Sequence, residues 1–522
     1  MDAIGLLLDQ LTDTLPQTRA QLRRAKTRVA LQAKTPLLRN DVLLERYRSD
    51  VAHGLRHPNA RLEQILTLNQ IRSISGIATI TVITKPYPCP GRCVYCPTEE
   101  RAPKSYLTNE PAMMRAVRND YDPYRQVISR LQTLEETGHA TDKIELIIKG
   151  GTWSFYPKAY QRTFIQRCLD AANGVEAESL EEAQRCNETA AHRIIGLTIE
   201  TRPDYINESE IRRLRELGAT RVELGVQSLN ERVLELIVRD HTTAEVRGAT
   251  ALLRNAGFKI AYHLMPNLPG ASPTDDRETL HELFENPSYR PDAMKIYPCV
   301  VIESAELYRW WQEGRYQPYD DETLIELLAD VKALVPPYVR IERVIRDIPS
   351  TSIAAGCKVT NLRETVLRRM AQQGRRCRCI RCRQVRDQAS GSFVLRRRDY
   401  EASDGREVFL SFEELSTDQL AAFLRLRLPR AADHWWGVLS GAALIRELHT
   451  YGRHLSLHDR RDDAVQHRGF GRQLLAEAER IAREEFRRGR MAVIAGVGVR
   501  EYYRKLGYEL RETYMVKDSG TN

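Results

Sequence analysis

Apolar and polar positions follow two different patterns in the first 340 residues. Residues 1–75 place apolar side chains at helical spacing, as in "LLLDQLTDTL" and "ARLEQILTLNQIRSI", and are predicted to be helical. From residue 77 onward, short β-branched runs alternate with helical stretches. There are six runs: "IATITVITK" (77–85), "KIELIIKG" (143–150), "RIIGLTIET" (193–201), "RVELGVQS" (221–228), "KIAYHLMPNLPG" (259–270) and "DAMKIYPCVV" (292–301).

Strands that alternate with helices indicate parallel βα units. Six such units predict a partial TIM-like (βα)6 barrel, whose site would lie at the carboxyl ends of the strands. Residues 393–522 change pattern again: the strand-like "GAALIRELHTYG" (441–452) precedes a glycine-led amphipathic helix, a strand and a short helix. A chain of 522 residues exceeds a single core. We therefore expect an α/β multidomain protein divided into a helical segment (1–75), the barrel (76–340), a linker (341–392) and a C-terminal α/β domain (393–522).

Charge is concentrated in the predicted linker. The whole chain carries a net charge of +9, whereas residues 340–400 alone hold 16 basic and 5 acidic side chains. Residues 1–60 hold 10 basic and 6 acidic side chains, which solvated helix faces would explain. The density of basic residues in "RRCRCIRCRQVR" (375–386) instead favours a polyphosphate partner, and nucleic acid is the first candidate.

Three cysteines follow the first predicted strand in "CPGRCVYCP" (89–97). Their C-x3-C-x2-C spacing lets Cys89, Cys93 and Cys96 hold three irons of a 4Fe-4S cluster, which leaves the fourth iron for a small molecule. A zinc knuckle is the alternative, but it needs a fourth ligand. None is near: no histidine lies between 58 and 138, and the next cysteine is Cys168.

No run of about 18 apolar residues occurs, so we expect no membrane span. The start of the chain has acids within its apolar stretch and does not read as a secretory signal. Ten cysteines, six of them in two tight clusters, are typical of metal or redox chemistry in a cytoplasmic protein.

The barrel segment resembles the radical S-adenosylmethionine (SAM) superfamily. The resemblance is carried by "CPGRCVYCP" and by the strand ends "KGGTW", "ETRPD", "GVQS" and "MPNLPG". It implies that SAM binds the free iron and is cleaved to a 5′-deoxyadenosyl radical. It further implies that Gly150 and Gly151 line the methionyl group, that Glu200 binds the ribose, and that Arg202 binds the carboxylate. A local ion pair is the alternative for Glu200 and Arg202.

The C-terminal segment contains a Q-x-x-G-x-G turn at a predicted helix start, which can bind a pyrophosphate through backbone N–H groups. Together with "YYRKLGY" the turn resembles the GNAT acetyltransferase fold. This resemblance implies an acetyl-CoA site formed by Gln466, Arg468, Gly469 and Gly471. The catalytic candidates are Tyr502, Tyr503 and Glu447, the last as a base. Packing alone would explain one of the two tyrosines. His449 and His467 are expected to be structural or to contact CoA.

A second thiol group, "CRCIRC", contains Cys377, Cys379 and Cys382. We expect it to bind zinc with a fourth thiolate, and Cys299 is favoured over Cys357 for that place. The alternative is a set of unligated thiols within an arginine-rich, RNA-binding segment.

The chain as a whole resembles the tRNA uridine(34) acetyltransferase family, the catalytic subunit of Elongator. "NLRE" (361–364), "IRELHTYG", "QHRGFG" and "GVGVREYYRKLGY" add to the segments above, and the short x3 cysteine spacing suggests a bacterial type. The family implies that acetyl-CoA and SAM chemistry place a carboxymethyl group on C5 of the wobble uridine. It implies tRNA as partner through the anticodon stem-loop and an electron donor for the cluster, and it leaves a homodimer open. The basic "RRAKTR" (23–28) and the arginines of 368–398 are the tRNA-binding candidates.

Two other functions stay open on the sequence alone. One is a lysine acetyltransferase acting on proteins, with a structural radical SAM domain. The other is a non-catalytic RNA-binding module that carries an iron–sulfur cluster. The intact cysteine spacing argues against the first, and the pyrophosphate-type turn argues against the second.

Overall fold

The computed structural model describes residues 2–67, 76–385, 391–430, 434–451 and 469–518. Helices open the chain, namely α1 (Ala3–Asp13), α2 (Arg19–Ala33), α3 (Asn40–Ala52) and α4 (Ala60–Leu66). Leu7 and Leu11 on α1 share a small core with Leu43 and Leu62. The predicted helical segment is thus confirmed through residue 67, and residues 68–75 lie outside the described part.

Seven parallel strands form the first sheet, and each pairs with the next along the chain. They are β1 (Ala78–Ile83), β2 (Lys143–Lys149), β3 (Arg193–Thr201), β4 (Arg221–Gln227), β5 (Lys259–Leu264), β6 (Ala293–Ile296) and β7 (Arg340–Arg343). The order runs from β1 to β7 without closing, so the sheet is a curled half-barrel. The predicted fold class is confirmed, with one more strand than expected.

The additional strand, β7, has the short sequence RIER, of which only Ile341 is fully buried. It pairs with β6 in the same sheet. Four residues with alternating charges lack the apolar run that marked the other strands. The predicted domain boundary at residue 340 therefore falls on the first residue of a barrel strand.

Helices connect the strands of this sheet. They are α5 (Pro111–Arg118), α6 (Pro123–Glu136), α7 (Lys158–Asn173), α8 (Leu180–Asn187), α9 (Glu208–Glu216), α10 (Glu231–Leu236), α11 (Thr243–Asn255), α12 (Pro273–Glu285), α13 (Glu306–Gln312) and α14 (Asp321–Leu334). Two short helices follow β7, α15 (Leu362–Gln372) and α16 (Ile380–Arg383). The apolar side chains of strands and helices form one large core, with Ile80, Leu146 and Leu224 at its centre strands.

The second sheet has the order β13-β14-β12-β11-β10-β9-β8. Its strands are β8 (Phe393–Glu401), β9 (Gly405–Glu414), β10 (Leu420–Pro429), β11 (Ala442–Thr450), β12 (Arg490–Val493), β13 (Glu509–Arg511) and β14 (Tyr514–Asp518). Between β11 and β12 lies α17 (Phe470–Arg480), and α18 (Arg500–Arg504) follows β12. Only the β11–β12 pair is parallel among these neighbours. The strand–helix–strand–helix order is as predicted, and the GNAT assignment stays a prediction.

The second sheet docks against the amino ends of the barrel strands. Arg446 on β11 bonds Asp292, which precedes β6, and also the carbonyl of Phe258, which precedes β5. Arg425 on β10 donates to the carbonyl of Tyr338, just before β7. A seven-residue strand such as β2 is ~23 Å long. The thiol loop at the carboxyl ends and the docked sheet at the amino ends are therefore about one strand length apart.

Candidate active site

The thiol loop follows β1 at the carboxyl edge of the half-barrel, as the sequence predicts. The Cys89 thiol lies 3.7 Å from the hydroxyl of Thr152, which follows β2. Burial, together with the nearby Cys93 thiol, raises the pKa of Cys96 to about 12. This thiol therefore carries its proton at neutral pH, and a metal that binds there would displace it.

The distances between the three thiol sulfurs help to distinguish a site for an iron–sulfur cluster from a site for a single zinc ion. Tetrahedral zinc with Zn–S near 2.3 Å needs sulfurs ~3.8 Å apart. Cys377, Cys379 and Cys382 form a set whose sulfurs all lie within 4.8 Å of one another, whereas Cys89, Cys93 and Cys96 do not. The second group thus has the compact spacing that a single zinc ion needs, and the first loop does not have it.

Two arginines, the buried Arg202 and the half-buried Arg239, flank the thiol loop. Arg239 donates to the Cys93 sulfur at 3.5 Å, and its Nε has no hydrogen-bond partner in the described part of the chain. Arg202 donates to both carboxylate oxygens of Asp204, at 2.9 and 2.8 Å. The local ion pair that the sequence left open therefore accounts for most of the hydrogen-bond donors of Arg202. Its Nη1 is buried without a hydrogen bond among the described residues, although Asp240 Oδ2 lies 3.6 Å away, and a Cβ on Gly91 would lie 2.5 Å from Nη1. These unused donors point to a group that binds beside the thiols.

The two glycines of "KGGTW" have different surroundings. Gly150 has φ +135°, and a Cβ there would collide with the Thr84 hydroxyl. Gly151 has φ +65° with nothing within 4 Å of the added atom, and it lines the cavity described below. Gly151 is therefore placed where a ligand can approach. Gly150, predicted to contact the cofactor, instead allows β1 and β2 to pack closely.

Glu200 lies at the end of β3 within a set of cations. Tyr106 and Lys149 donate to its Oε2, both at 3.1 Å. His263 Nδ1 is 3.3 Å from its Oε1. Burial alone would raise the pKa of Glu200, but Lys149 and His263 outweigh it and hold the pKa well below its usual range. The group is thus an ionised acceptor, as hydroxyl recognition requires.

A second carboxylate, Glu223, lies beneath the first. His263 Nε2 is 2.9 Å from it, and Lys295 donates to the same oxygen. Glu200, Glu223 and His263 are close enough to hold a metal ion. Lys149 and Lys295 are already ion-paired with the two carboxylates. We therefore interpret this set as a fixed charge network and not as a metal site. Such polar side chains take the place of the branched apolar residues that usually fill a TIM-type lumen.

Cys299 does not join the second thiol group. Cys377, Cys379 and Cys382 lie together next to β7, whereas Cys299 is buried in another apolar cluster that includes Val301. The predicted ligation by Cys299 is wrong because its strand end faces the thiol-loop side of the barrel. Cys357, the other candidate, is also absent from the group.

The two tyrosines of α18 have separate environments. The Tyr502 side chain is 37% exposed, and a Cβ on Gly471 would lie 3.5 Å from its hydroxyl. Tyr503 is buried in the core of the second sheet beside Tyr508. Burial raises the pKa of Tyr502, so its hydroxyl keeps a proton that it can donate. Tyr503 packs in this core and also lines the cavity, and a catalytic role for it stays a prediction.

The glycine-led turn reaches α17 as predicted. Gly469 caps that helix with φ +70°, and both Gly469 and Gly471 line the cavity. Gln466, His467 and Arg468 lie outside the described residues.

Glu447 on β11 is not placed as a free base. Arg425 donates to its Oε2 at 2.9 Å, and Lys259 donates to its Oε1 at 3.4 Å. Burial alone would raise the pKa of Glu447, but the two cations hold it well below its usual range. Glu447 therefore helps to dock the second sheet on the barrel. Burial also lowers the pKa of its neighbour His449 to about 3, so this ring is neutral.

One cavity of about 1640 Å³ connects the two halves of the site. It is lined at one end by Cys89, Cys93 and Cys96, along the barrel lumen by Lys149, Glu200 and His263, and at the other end by Glu447, Gly469, Gly471 and Tyr502. The structure thus brings together most of the residues predicted for two cofactor sites in separate domains.

Sequence reasoning missed several lumen residues. Lys149, His263 and Lys295 sit at inward-facing positions of predicted strands. A charged residue within an otherwise apolar β-run was the signal that could have identified them. Arg239 lies in a loop after α10, where no local pattern indicates that it reaches Cys93.

Comparison with known proteins agrees with this geometry. Residues 83–283 match the Radical SAM superfamily, and residues 291–372 match the Radical_SAM C-terminal domain. The half-barrel and its thiol loop are therefore those of a radical SAM enzyme.

Relatives along most of the chain narrow the assignment. A tRNA uridine(34) acetyltransferase of Dehalococcoides mccartyi is 51% identical over 453 residues, which is 85% of this chain and 98% of that protein. Elongator complex protein 3 of Homo sapiens is 42% identical over 87% of this chain and 86% of its own length. The solved structure of N-terminally truncated Methanocaldococcus infernus Elp3 has a TM-score of 0.74 and 45% identity, and covers 85% of this chain and 99% of its own. The chain belongs to the family of tRNA uridine(34) acetyltransferases and Elongator complex protein 3.

The described residues contain no helix long and apolar enough to cross a membrane.

Proposed function

We propose that this enzyme modifies the wobble uridine of tRNA, using acetyl-CoA and SAM to place a carboxymethyl group on C5 of uridine 34. The observation that carries the proposal is the single cavity shared by the thiol loop and the Gly469–Gly471 turn. The names of the relatives, tRNA uridine(34) acetyltransferases, supply the substrate. C5 of uracil is a poor target for ordinary acyl transfer, which explains why a radical domain and an acyl-binding domain share one cavity.

In this proposal Cys89, Cys93 and Cys96 hold a 4Fe-4S cluster. Their spread and the unused donors of Arg202 and Arg239 fit a group larger than one ion. The cluster, with SAM bound to it, supplies a carbon-centred radical able to abstract hydrogen. The chain's own residues hold the cofactor: Gly151 leaves room for it and Glu200 accepts its hydroxyl groups.

At the other end of the cavity the chain binds and cleaves the thioester. The α17 amino terminus, opened by Gly469 and Gly471, binds the pyrophosphate of acetyl-CoA. Tyr502, which keeps its proton, donates it to the leaving thiolate. Glu447 and Tyr503 also line this end of the cavity and support it without donating the proton.

The tRNA would bind through the basic linker and the first helices. Arg23, Arg24 and Arg28 are exposed on one side of α2, whereas Lys26 is turned inward and bonds Asn40. Such contacts supply affinity without reading bases. An unpaired anticodon base is inexpensive to extrude into a cavity. We also propose that Cys377, Cys379 and Cys382 bind a structural zinc that holds the linker against β7.

Acetyl-CoA hydrolysis by the full-length protein, with and without tRNA, tests this function. We expect hydrolysis that depends on tRNA. It should fall in Tyr502→Phe and persist in Tyr503→Phe, which is the matched control. Hydrolysis without RNA, or acetyl transfer to protein lysines, would favour the protein acetyltransferase and contradict the proposal.

A further inference from the structure

Three arginines form one wall of the cavity outside the two predicted cofactor sites. Arg340 begins β7, Arg363 lies in the first turn of α15, and Arg381 lies on α16. All three line the cavity. Arg363 belongs to the "NLRE" segment, for which the proposed chemistry gives no role.

None of the three has an acidic partner among the described residues. Arg340 donates from one nitrogen to Gln384 at 2.8 Å and to Tyr451 at 2.9 Å, both neutral groups. Arg363 donates to the carbonyl of Ile341 at 3.1 Å, and its Nη1 is buried without a hydrogen bond in the described part of the chain.

Arg381 makes no hydrogen bond or ion pair to any residue that the structure describes. The nearby acid Glu342 is ion-paired with Arg221, and it acts on Arg340 and Arg381 only at longer range, without an ion pair to either.

The lack of acidic partners distinguishes these three arginines from those that dock the second sheet. The arginines that dock the second sheet are paired with carboxylates: Arg446 with Asp292 and Glu407, and Arg425 with Glu447. Buried charges are normally paired because an uncompensated charge is costly to desolvate. Arg340, Arg363 and Arg381 are half-buried, so part of this cost applies to them, and a group of unpaired guanidinium ions that face one cavity favours an anionic ligand.

We propose that Arg340, Arg363 and Arg381 form a binding site for a phosphate group of the bound substrate. The planar guanidinium fork matches phosphate oxygens in a bidentate manner, which lysine does not. The inference rests on the proposed function, since that function brings two phosphate-bearing molecules into the cavity. The phosphate comes either from the tRNA backbone beside the target nucleotide or from CoA.

The position of the site suits a ligand that passes between the two ends of the cavity. Arg340 is bonded to Tyr451, which directly follows β11 and belongs to the docked domain. Arg363 and Arg381 come from the segment next to the Cys377, Cys379 and Cys382 group. The site thus joins both domains and the linker, and a phosphate there would hold the substrate against all three.

A direct test uses inorganic phosphate as the probe. The melting temperature of the full-length protein is measured in phosphate and in chloride at equal ionic strength, for the wild type and for Arg363→Gln/Arg381→Gln. Arg309→Gln is the control, because it removes one positive charge from an exposed side chain outside the cavity, as Arg381→Gln alone does inside it. We expect phosphate to raise the melting temperature of the wild type and the control, and not that of the double variant. An equal rise in all three would overturn the proposal.

The double variant should fold, because neither side chain loses an ion pair. Arg381→Gln alone is the second variant, since it breaks no hydrogen bond to a described residue, and it should show a reduced phosphate response. If Arg381→Gln instead lowers the melting temperature in chloride and keeps the full phosphate response, the arginine is structural and the proposal fails.

Two further titrations identify the source of the phosphate. Binding of tRNA and of acetyl-CoA is measured separately for the same variants, and we expect one of the two affinities to fall about tenfold or more. If the ligand is RNA, the slope of log K against log salt should also shrink by about 0.7 for each single-stranded phosphate that the variant no longer neutralises. Unchanged affinities for both ligands in the double variant would overturn the site. A wild type that binds neither ligand would refute the proposed function, and the phosphate melts would still decide on the site.

Discussion

Asp292 supports the docking of the second sheet on the half-barrel, and removing its charge should weaken that docking. It is 3% exposed, and Arg446 donates to its two oxygens at 2.9 and 2.5 Å. The backbone N–H of Ile260 donates to Oδ2 at 2.9 Å, and Arg425 lies 3.6 Å from Oδ1. Asp292→Asn keeps the shape of the side chain and leaves the arginines without this charge.

The expected loss of stability follows from this geometry. Breaking a buried ion pair by neutralising one partner costs ~3–5 kcal/mol. Arg446 keeps a second carboxylate, Glu407, at 3.1 Å, so the loss should lie at the lower end, about 3 kcal/mol. For a domain of this size that corresponds to a fall of ~6–12 °C in the melting temperature of the C-terminal part.

Scanning calorimetry measures the fall, and hydrogen exchange shows where it acts. Exchange should rise in β11, which carries Arg446, and in the residues around Asp292. Glu484→Gln is the matched control: its pair with Arg483 has exposed partners (49% and 57%), so its loss should stay below about 1 kcal/mol. If Asp292→Asn behaves like this control, the docking argument is wrong.

Three further predictions concern single positions. Gly150→Ala should lower the free energy of unfolding by ~2–6 kcal/mol through backbone strain and overlap with its neighbour, whereas Gly151→Ala should cost only ~1–2 kcal/mol of strain. Urea unfolding compares the two, and equal losses would contradict the packing argument. Tyr502→Phe should slow tRNA-dependent acetyl-CoA hydrolysis by about a hundredfold or more, while Tyr503→Phe should match the wild type; equal rates in steady-state assays would exclude Tyr502 as the proton donor. Burial raises the pKa of Asp276 to about 6, above its usual 3.8. The folded state therefore holds this proton more tightly, and its stabilising effect is lost as the pH rises from about 4 to 6. Asp276→Asn should remove that step from the pH dependence of the melting temperature, and an unchanged step would refute the assignment.

Local patterns along the chain are sufficient to predict the elements and the class of chemistry. Six strands can be found because each is a short apolar, β-branched run between helical stretches, a signal that depends only on neighbouring residues. The positions of Cys89, Cys93 and Cys96 after the first strand, and of Gly151 and Glu200 after the next two, follow from the rule that parallel strands bring their carboxyl ends to one edge. The C-terminal helix with its opening glycines is visible for the same reason.

Contacts between distant segments cannot be read in this way. β7 escapes prediction because its stability comes from pairing with β6 and not from its own four residues. The assignment of Cys299 to the second thiol group is wrong because sequence spacing does not tell which side of the barrel a strand end faces. Glu447 resembles a base in the sequence, although Arg425 and Lys259 approach it from two different domains.

The sequence by itself thus determined the strands, the helices and the residue types needed for two cofactor sites. Only the tertiary structure decided that those sites share one cavity, that charged side chains line the lumen between them, and that Arg340, Arg363 and Arg381 face it without an acidic partner in the described part of the chain. The physical reason is the distance along the chain over which each effect acts. Propensity and periodicity act over a few neighbouring residues, whereas the pairing and burial of charge depend on which distant segments meet when the chain folds.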